Sequence, residues 1–201
     1  MRRVVVLALL ALALPMAAWA SGIDLTNQFG SISISAAGIT SIHSQLTSFN
    51  GIQAPKGQAL GSVSFSTGAL VSGSILGGGV FSATGSSFVV IGKGNYGQPK
   101  GTIFSGVFVG PILWTLTSPP GAKNLTYTLT GTIQGMLYNG QIVTGTTTQN
   151  IFSVAGQLNQ GVGHIRMGTT NLAVPEPGTL GLLGTGLVGI AGMFRRKLLG
   201  R

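Results

Sequence analysis

The sequence contains no cysteine, which removes disulfides, thiolate metal sites and a cysteine nucleophile together. Acidic residues are nearly as scarce, since the only two are Asp24 and Glu176. Between residues 21 and 174 that leaves Asp24 alone. Glycoside hydrolysis by paired carboxylates lacks its second acid there, and a side-chain cage for Ca²⁺ or Mg²⁺ lacks its ligands. A zinc site would have only His43 and His164 to draw on. A Ser-His-Asp arrangement would need Asp24 to reach one of those histidines, with no Gly-x-Ser-x-Gly context around any serine. The sequence therefore reads as a non-enzymatic chain with no catalytic residue, no metal ligand set and no cofactor.

Charge of either sign is sparse: charged residues make up 6% of the chain, against about 25% in an ordinary soluble domain. The net charge of +9 resembles a nucleic-acid footprint, but its distribution argues otherwise. Arg2 and Arg3 open the chain, and Arg195, Arg196, Lys197 and Arg201 close it. Only Lys56, Lys93, Lys100, Lys123 and Arg166 lie between them, scattered, with no basic run to follow a phosphate backbone. No nucleic-acid partner is expected.

What the sequence has in quantity is glycine, 34 residues, together with serine and threonine. Glycine supplies the positive-φ positions that tight turns need. Apolar residues alternate with polar ones instead of recurring at helical spacing. In 124–135, Leu125, Tyr127, Leu129 and Ile133 take one face, and Thr126, Thr128, Thr130 and Thr132 the other. The stretches around Ile32 and Ile34, Val63 and Phe65, and Ile112, Trp114 and Leu116 read the same way, as half-buried antiparallel strands. Residues 86–92 and 102–110 are apolar on both faces and are expected to lie deeper. Asn139-Gly140 predicts a hairpin with a type I′ turn. The spacing Gly92-x-Gly94-x-x-Gly97 fits a dinucleotide loop only formally, because Pro99 and another strand follow where a helix should start. The expected fold is all-β, an antiparallel sandwich or jelly-roll-like body, with a β-solenoid as the alternative. An outer-membrane barrel would need apolar outward faces and aromatic girdles, where this sequence offers serine and threonine.

The two ends read as addresses. Residues 1–20 form a signal peptide: Arg2 and Arg3 are its basic start, and residues 4–14 form an apolar run shorter than the roughly 20 residues of a membrane span. Ala18-Trp19-Ala20 is a small-x-small cleavage site, and signal peptidase is expected to cut between Ala20 and Ser21. At the other end residues 178–194 carry no charge, and as a helix they would extend about 26 Å, at the lower limit for crossing a bilayer. Arg195, Arg196 and Lys197 follow as stop charges held on the cytoplasmic side. This gives three parts: a signal helix over 1–20, a β-rich exported body over 21–173, and a terminal segment over 174–201 containing an apolar transmembrane helix.

Val174-Pro175-Glu176-Pro177-Gly178, a glycine-rich apolar span and an arginine cluster, in that order, resemble the PEP-CTERM sorting signal of bacterial exported proteins. The resemblance covers residues 174–201. It implies recognition by exosortase, a membrane-embedded protease, with Pro175, Glu176 and Pro177 as the sorting motif. It also implies membrane anchoring through the C-terminal helix until processing, then release to the cell envelope or exterior. The family's setting is exopolysaccharide and biofilm. Two prolines forbid a helix and hold the backbone extended, which is the form a protease reads. Three functions fit: a non-enzymatic envelope or matrix protein, a carbohydrate-binding module with exopolysaccharide as partner, or a self-assembling adhesive surface protein. In a host containing the sorting protease, the mature chain is expected to begin at Ser21 and to lack everything after about Pro177. Intact mass of the protein from native cell fractions checks both ends, and a product still carrying Arg195–Arg201 would refute the processing.

Overall fold

A computed structural model of the chain describes residues 22–119, 122–154, 158 and 161–174. The expected signal helix, the Ala20–Ser21 cleavage site, the sorting motif, the helix over 178–194 and the basic cluster at Arg195, Arg196 and Lys197 lie outside the described residues. Among the described residues no helix is long and apolar enough to cross a membrane.

Among the described residues the body is built of twelve strands. β1 (Gly22–Gln28) and β2 (Ser31–Ser35) are two halves of one edge-to-edge path, broken at Phe29 and Gly30. β3 (Gly38–Phe49) turns back along both halves, and short β4 (Ile52–Gln53) pairs with its end. β5 (Gly61–Ser66) and β8 (Ser87–Lys93) continue the sheet, with the hairpin of β6 (Leu70–Ser74) and β7 (Gly78–Phe81) inserted between them. β9 (Lys100–Leu116), β10 (Asn124–Leu137), β11 (Ile142–Val154) and β12 (Val162–Ala173) then run up and down. β12 pairs with β1, from Gly22 opposite Ala173 to Asn27 opposite Gly168. Every pairing is antiparallel, and the sheet closes into an eight-position barrel with extra strands at its ends.

The all-β antiparallel body is therefore present, but not as a sandwich, a jelly roll or a solenoid: one sheet closes on itself. Bulges make closure possible. The register slips at Thr26/Asn27, Ser41/Ser44, Val90/Ile91, Thr130/Thr132 and Asn150/Ile151, and each slip adds local twist and bend. The stretches around Phe104 and Trp114 also join into a single strand, β9. Gly110 bends it with a φ of 81°. Pro111, which has no N–H to give, sits in the gap where β9 exchanges β8 as neighbour for β7, between the pairs Phe88–Gly106 and Phe81–Ile112. The hairpin at Asn139-Gly140 forms where expected, but not with a type I′ turn. Only Gly140 has positive φ, and Leu137 N–H bonds Gln141 O at 2.9 Å across a three-residue loop, the geometry of a turn followed by a glycine bulge.

The barrel is filled. Phe65, Phe88, Phe104 and Phe108 pack at centroid distances of 6.0–6.4 Å, within one cluster that runs from Leu25 to Leu172. Residues 86–92 and 102–110 do not lie deeper than the rest. Their second apolar row, including Ile91 and Val107, faces solvent. An apolar interior behind a hydroxyl-rich outer face reverses the arrangement of a membrane barrel.

One side of the interior is polar. Asn27 Nδ2 donates to Ser44 Oγ at 2.8 Å and to Gln149 Oε1 at 2.9 Å. Gln149 Nε2 donates to Thr147 Oγ1 at 2.9 Å, and Thr147 bonds Thr170 at 2.8 Å. These buried residues link β3, β1, β11 and β12 across the place where the first and last strands meet. Gly168 leaves the space they need, since a Cβ there would stand 2.0 Å from Gln149 Oε1 and 2.3 Å from Asn27 Oδ1. Asn27→Ala leaves Gln149 Oε1 without its donor in the core, while Ser44 keeps its bond to Phe29 O, and is expected to lower unfolding free energy by about 1–3 kcal/mol. Urea denaturation followed by the emission of Trp114 measures it; an unchanged midpoint would show that the network contributes nothing to closure.

Candidate functional site

Trp114 is the first candidate, because an exposed ring could stack on a sugar. It is buried, 1% exposed, and lies flat on Tyr127 with centroids 4.4 Å apart and planes at 5°. Its Nε1 donates to Ile75 O at 2.8 Å, and the Tyr127 hydroxyl donates to Leu76 O at 2.9 Å. The pair therefore holds the β6–β7 turn over one mouth of the barrel. Its phase with Ile112 and Leu116 indicated packing, and packing is what the structure gives it.

The other sequence candidates are dispersed. His164 is exposed on β12 and His43 is exposed on β3, with β2 between the two strands. Asp24 lies on β1 opposite Asn171. Among the described residues no three His, Cys, Asp or Glu side chains form a group that could hold a metal ion. Residues 94–99 form a turn between β8 and β9, as read from Pro99. The threonines do form cross-strand rows: Thr130 faces Thr148, which faces Thr169, which faces Thr26. Thr147, however, turns inward.

The structure adds a groove that the sequence reading did not assemble. It lies on the outer face of β3, β5 and β8, is open to solvent and has a volume of ≈ 570 Å³. Its floor is a cross-strand row, Gln45 opposite Ser62 opposite Ile91. His43 stands on one side and Lys93 on the other, and Gln58 and Asn95 close the end toward the loops. His43 sits at the bulge of β3 with φ 58°, a conformation uncommon outside glycine, and its N–H bonds Ser64 Oγ at 3.1 Å. The strained residue is held from behind, because its neighbour Ser44 points inward into the Asn27 network. The loop wall is also fastened. Tyr96 hydroxyl bonds Gln58 Oε1, and buried Gln98 donates to Leu60 O at 2.7 Å and to Asn95 Oδ1 at 2.9 Å. Nothing local in the sequence marks this groove. The one available signal was the crowding of amides and lysines in 53–58 and 93–100.

A family model described as the PEP-CTERM protein-sorting motif matches residues 173–197, the segment containing Pro175, Glu176 and Pro177. The match is confined to the C-terminal part of the chain, which thus carries a PEP-CTERM sorting motif. No curated protein matches the chain, and no solved structure does.

Burial raises the Tyr127 hydroxyl above its ordinary value, because the charged phenolate loses hydration. The unfolded chain then releases this proton first as pH climbs past about 10, so stability is full below that value and falls above it. Tyr127→Phe is expected to flatten the alkaline decline in melting temperature between neutral pH and pH 11, at the price of a carbonyl left unpaired at Leu76. An equally steep decline in the variant would remove Tyr127 from the account.

Proposed function

We propose that the protein is an exported, non-enzymatic component of the cell envelope or extracellular matrix. In this reading signal peptidase releases the N-terminus, an exosortase-like membrane protease processes the C-terminal signal, and the barrel then serves through its outer surface among exopolysaccharide or biofilm polymers. The observation that carries the reading is the sorting-motif match at 173–197. The body before it gives support. Its interior is packed with side chains, so recognition falls to the outside, and within residues 22–174 it offers a single carboxylate side chain, Asp24, for acid–base work. The C-terminal helix would anchor the chain in the membrane until cleavage, as the order of motif, apolar span and basic stop suggests.

A second reading, a carbohydrate-binding module, is favoured by the groove beside His43 and Lys93. Self-assembly through strand edges has less support, since closure consumes the edges and leaves those of short β4 and β6 among the described strands.

The sorting reading is tested with a triple variant, Pro175→Ala, Glu176→Gln and Pro177→Ala, expressed in a host that contains the protease. The expected product keeps its C-terminal tail by mass and stays in the membrane fraction while the unaltered protein is released. Normal release and a trimmed mass in the variant would overturn it.

A further inference from the structure

We infer that the groove on β3, β5 and β8 binds a segment of an acidic saccharide chain, with its carboxylates at the lysine side and its hydroxyls on the amide side chains. The inference rests on the reading of an extracellular protein among polysaccharides and gives that partner a chemistry.

The charge pattern comes first. Lys93 and Lys100 are direct cross-strand partners on β8 and β9, both exposed. Like charges in that relation repel. A body with so few cations places two of them face to face, and Lys56 directly precedes the lining residue Gly57. The one carboxylate side chain of the body, Asp24, is on β1 and does not line the groove. The repulsion therefore has no internal counter-charge, and a bound anion relieves it. His43 adds a ring N–H donor from the opposite wall.

The lining then selects among anions. Gln45 offers an acceptor oxygen and donor N–H groups side by side, which matches the paired hydroxyls of a sugar ring, while Gln58 and Asn95, whose oxygens are engaged by Tyr96 and Gln98, add amide N–H donors. Ser62 adds a hydroxyl, and Ile91, 43% exposed, offers an apolar patch for the carbon face of the ring. A nucleic acid would want a broad aromatic platform for its bases, and no Phe, Tyr or Trp side chain lines the groove; Tyr96 is half-buried and engaged with Gln58. A lipid headgroup would use the charge and leave the amides idle. The groove is open, so a polymer can pass through it without a free end. Its walls are set before binding by the Gln98 and Tyr96 bonds and by the His43 bulge, so few side chains must be ordered on contact.

The test uses the exported protein recovered from its host. Calorimetric titration compares oligogalacturonate with a neutral gluco-oligosaccharide of equal length, single-stranded DNA of equal charge and anionic lipid vesicles. Oligogalacturonate is expected to bind best. Lys93→Gln is expected to weaken it by about tenfold, Gln45→Ala to weaken it less, and Lys123→Gln, which is outside the groove, to leave it unchanged. Unaltered Trp114 emission shows that each variant is folded. No binding of oligogalacturonate, equal losses in Lys93→Gln and Lys123→Gln, or equal binding of DNA or vesicles would overturn the assignment. Fractionation of cells expressing the unaltered protein separates the two readings: a trimmed, exported chain that fails to bind sinks the groove assignment alone, whereas a cytosolic, untrimmed chain that still binds sinks the sorting reading alone.

Discussion

The structure depends on the meeting of its first and last strands. Six residues of β1 lie opposite six of β12, Gly22 to Asn27 against Ala173 to Gly168. Without that contact the sheet would end in two long, exposed edges, the arrangement that invites pairing between molecules. The contact is the most distant in sequence and has no turn to hold it in register. Hydrophobic alternation alone would permit slippage by two residues, since a slip of two preserves which side faces in. The buried amides and hydroxyls forbid it: Asn27, Gln149, Thr147 and Thr170 find one another in a single register, and any other leaves them buried and unpaired.

This closure also shapes the outside. Bending a sheet into so small a tube needs bulges, and the bulge in β3 turns Ser44 inward to Asn27 and leaves His43 outward in a strained conformation. The same irregularity thus serves the network inside and the groove outside. The filled interior has the complementary effect. With Phe65, Phe88, Phe104 and Phe108 against one another and the β6–β7 turn fastened over Trp114 and Tyr127, chemistry of recognition is left to the surface.

Much of the local architecture was legible in the sequence. Alternation at 124–135 gave the faces of β10 residue by residue, and the phase of Trp114 placed it in the core. The C-terminal motif was legible because Pro-Glu-Pro, an apolar span and arginines form a linear pattern. What escaped was everything set by distance. Whether Leu25 neighbours Thr170 or some other strand has no local signature, so closed barrel and sandwich present the same alternation. Bulges at Ser41/Ser44 and Gly110 depend on partner strands and are silent in composition. The groove escaped for the same reason: Gln45, Ser62 and Ile91 become a row only after three strands are in register.

The closing pair also determines how the barrel bears load. Gly22 and Ala173 lie opposite each other, so the described body begins and ends at the same mouth. Traction on the chain beyond Val174, directed along β12, loads that strand lengthwise. The hydrogen bonds of an antiparallel ladder run across the strands, so such a pull shears the whole row to β1 and β11 at once instead of opening it link by link. A particle held by one tail in a flowing or stretching matrix would meet force in its strongest direction.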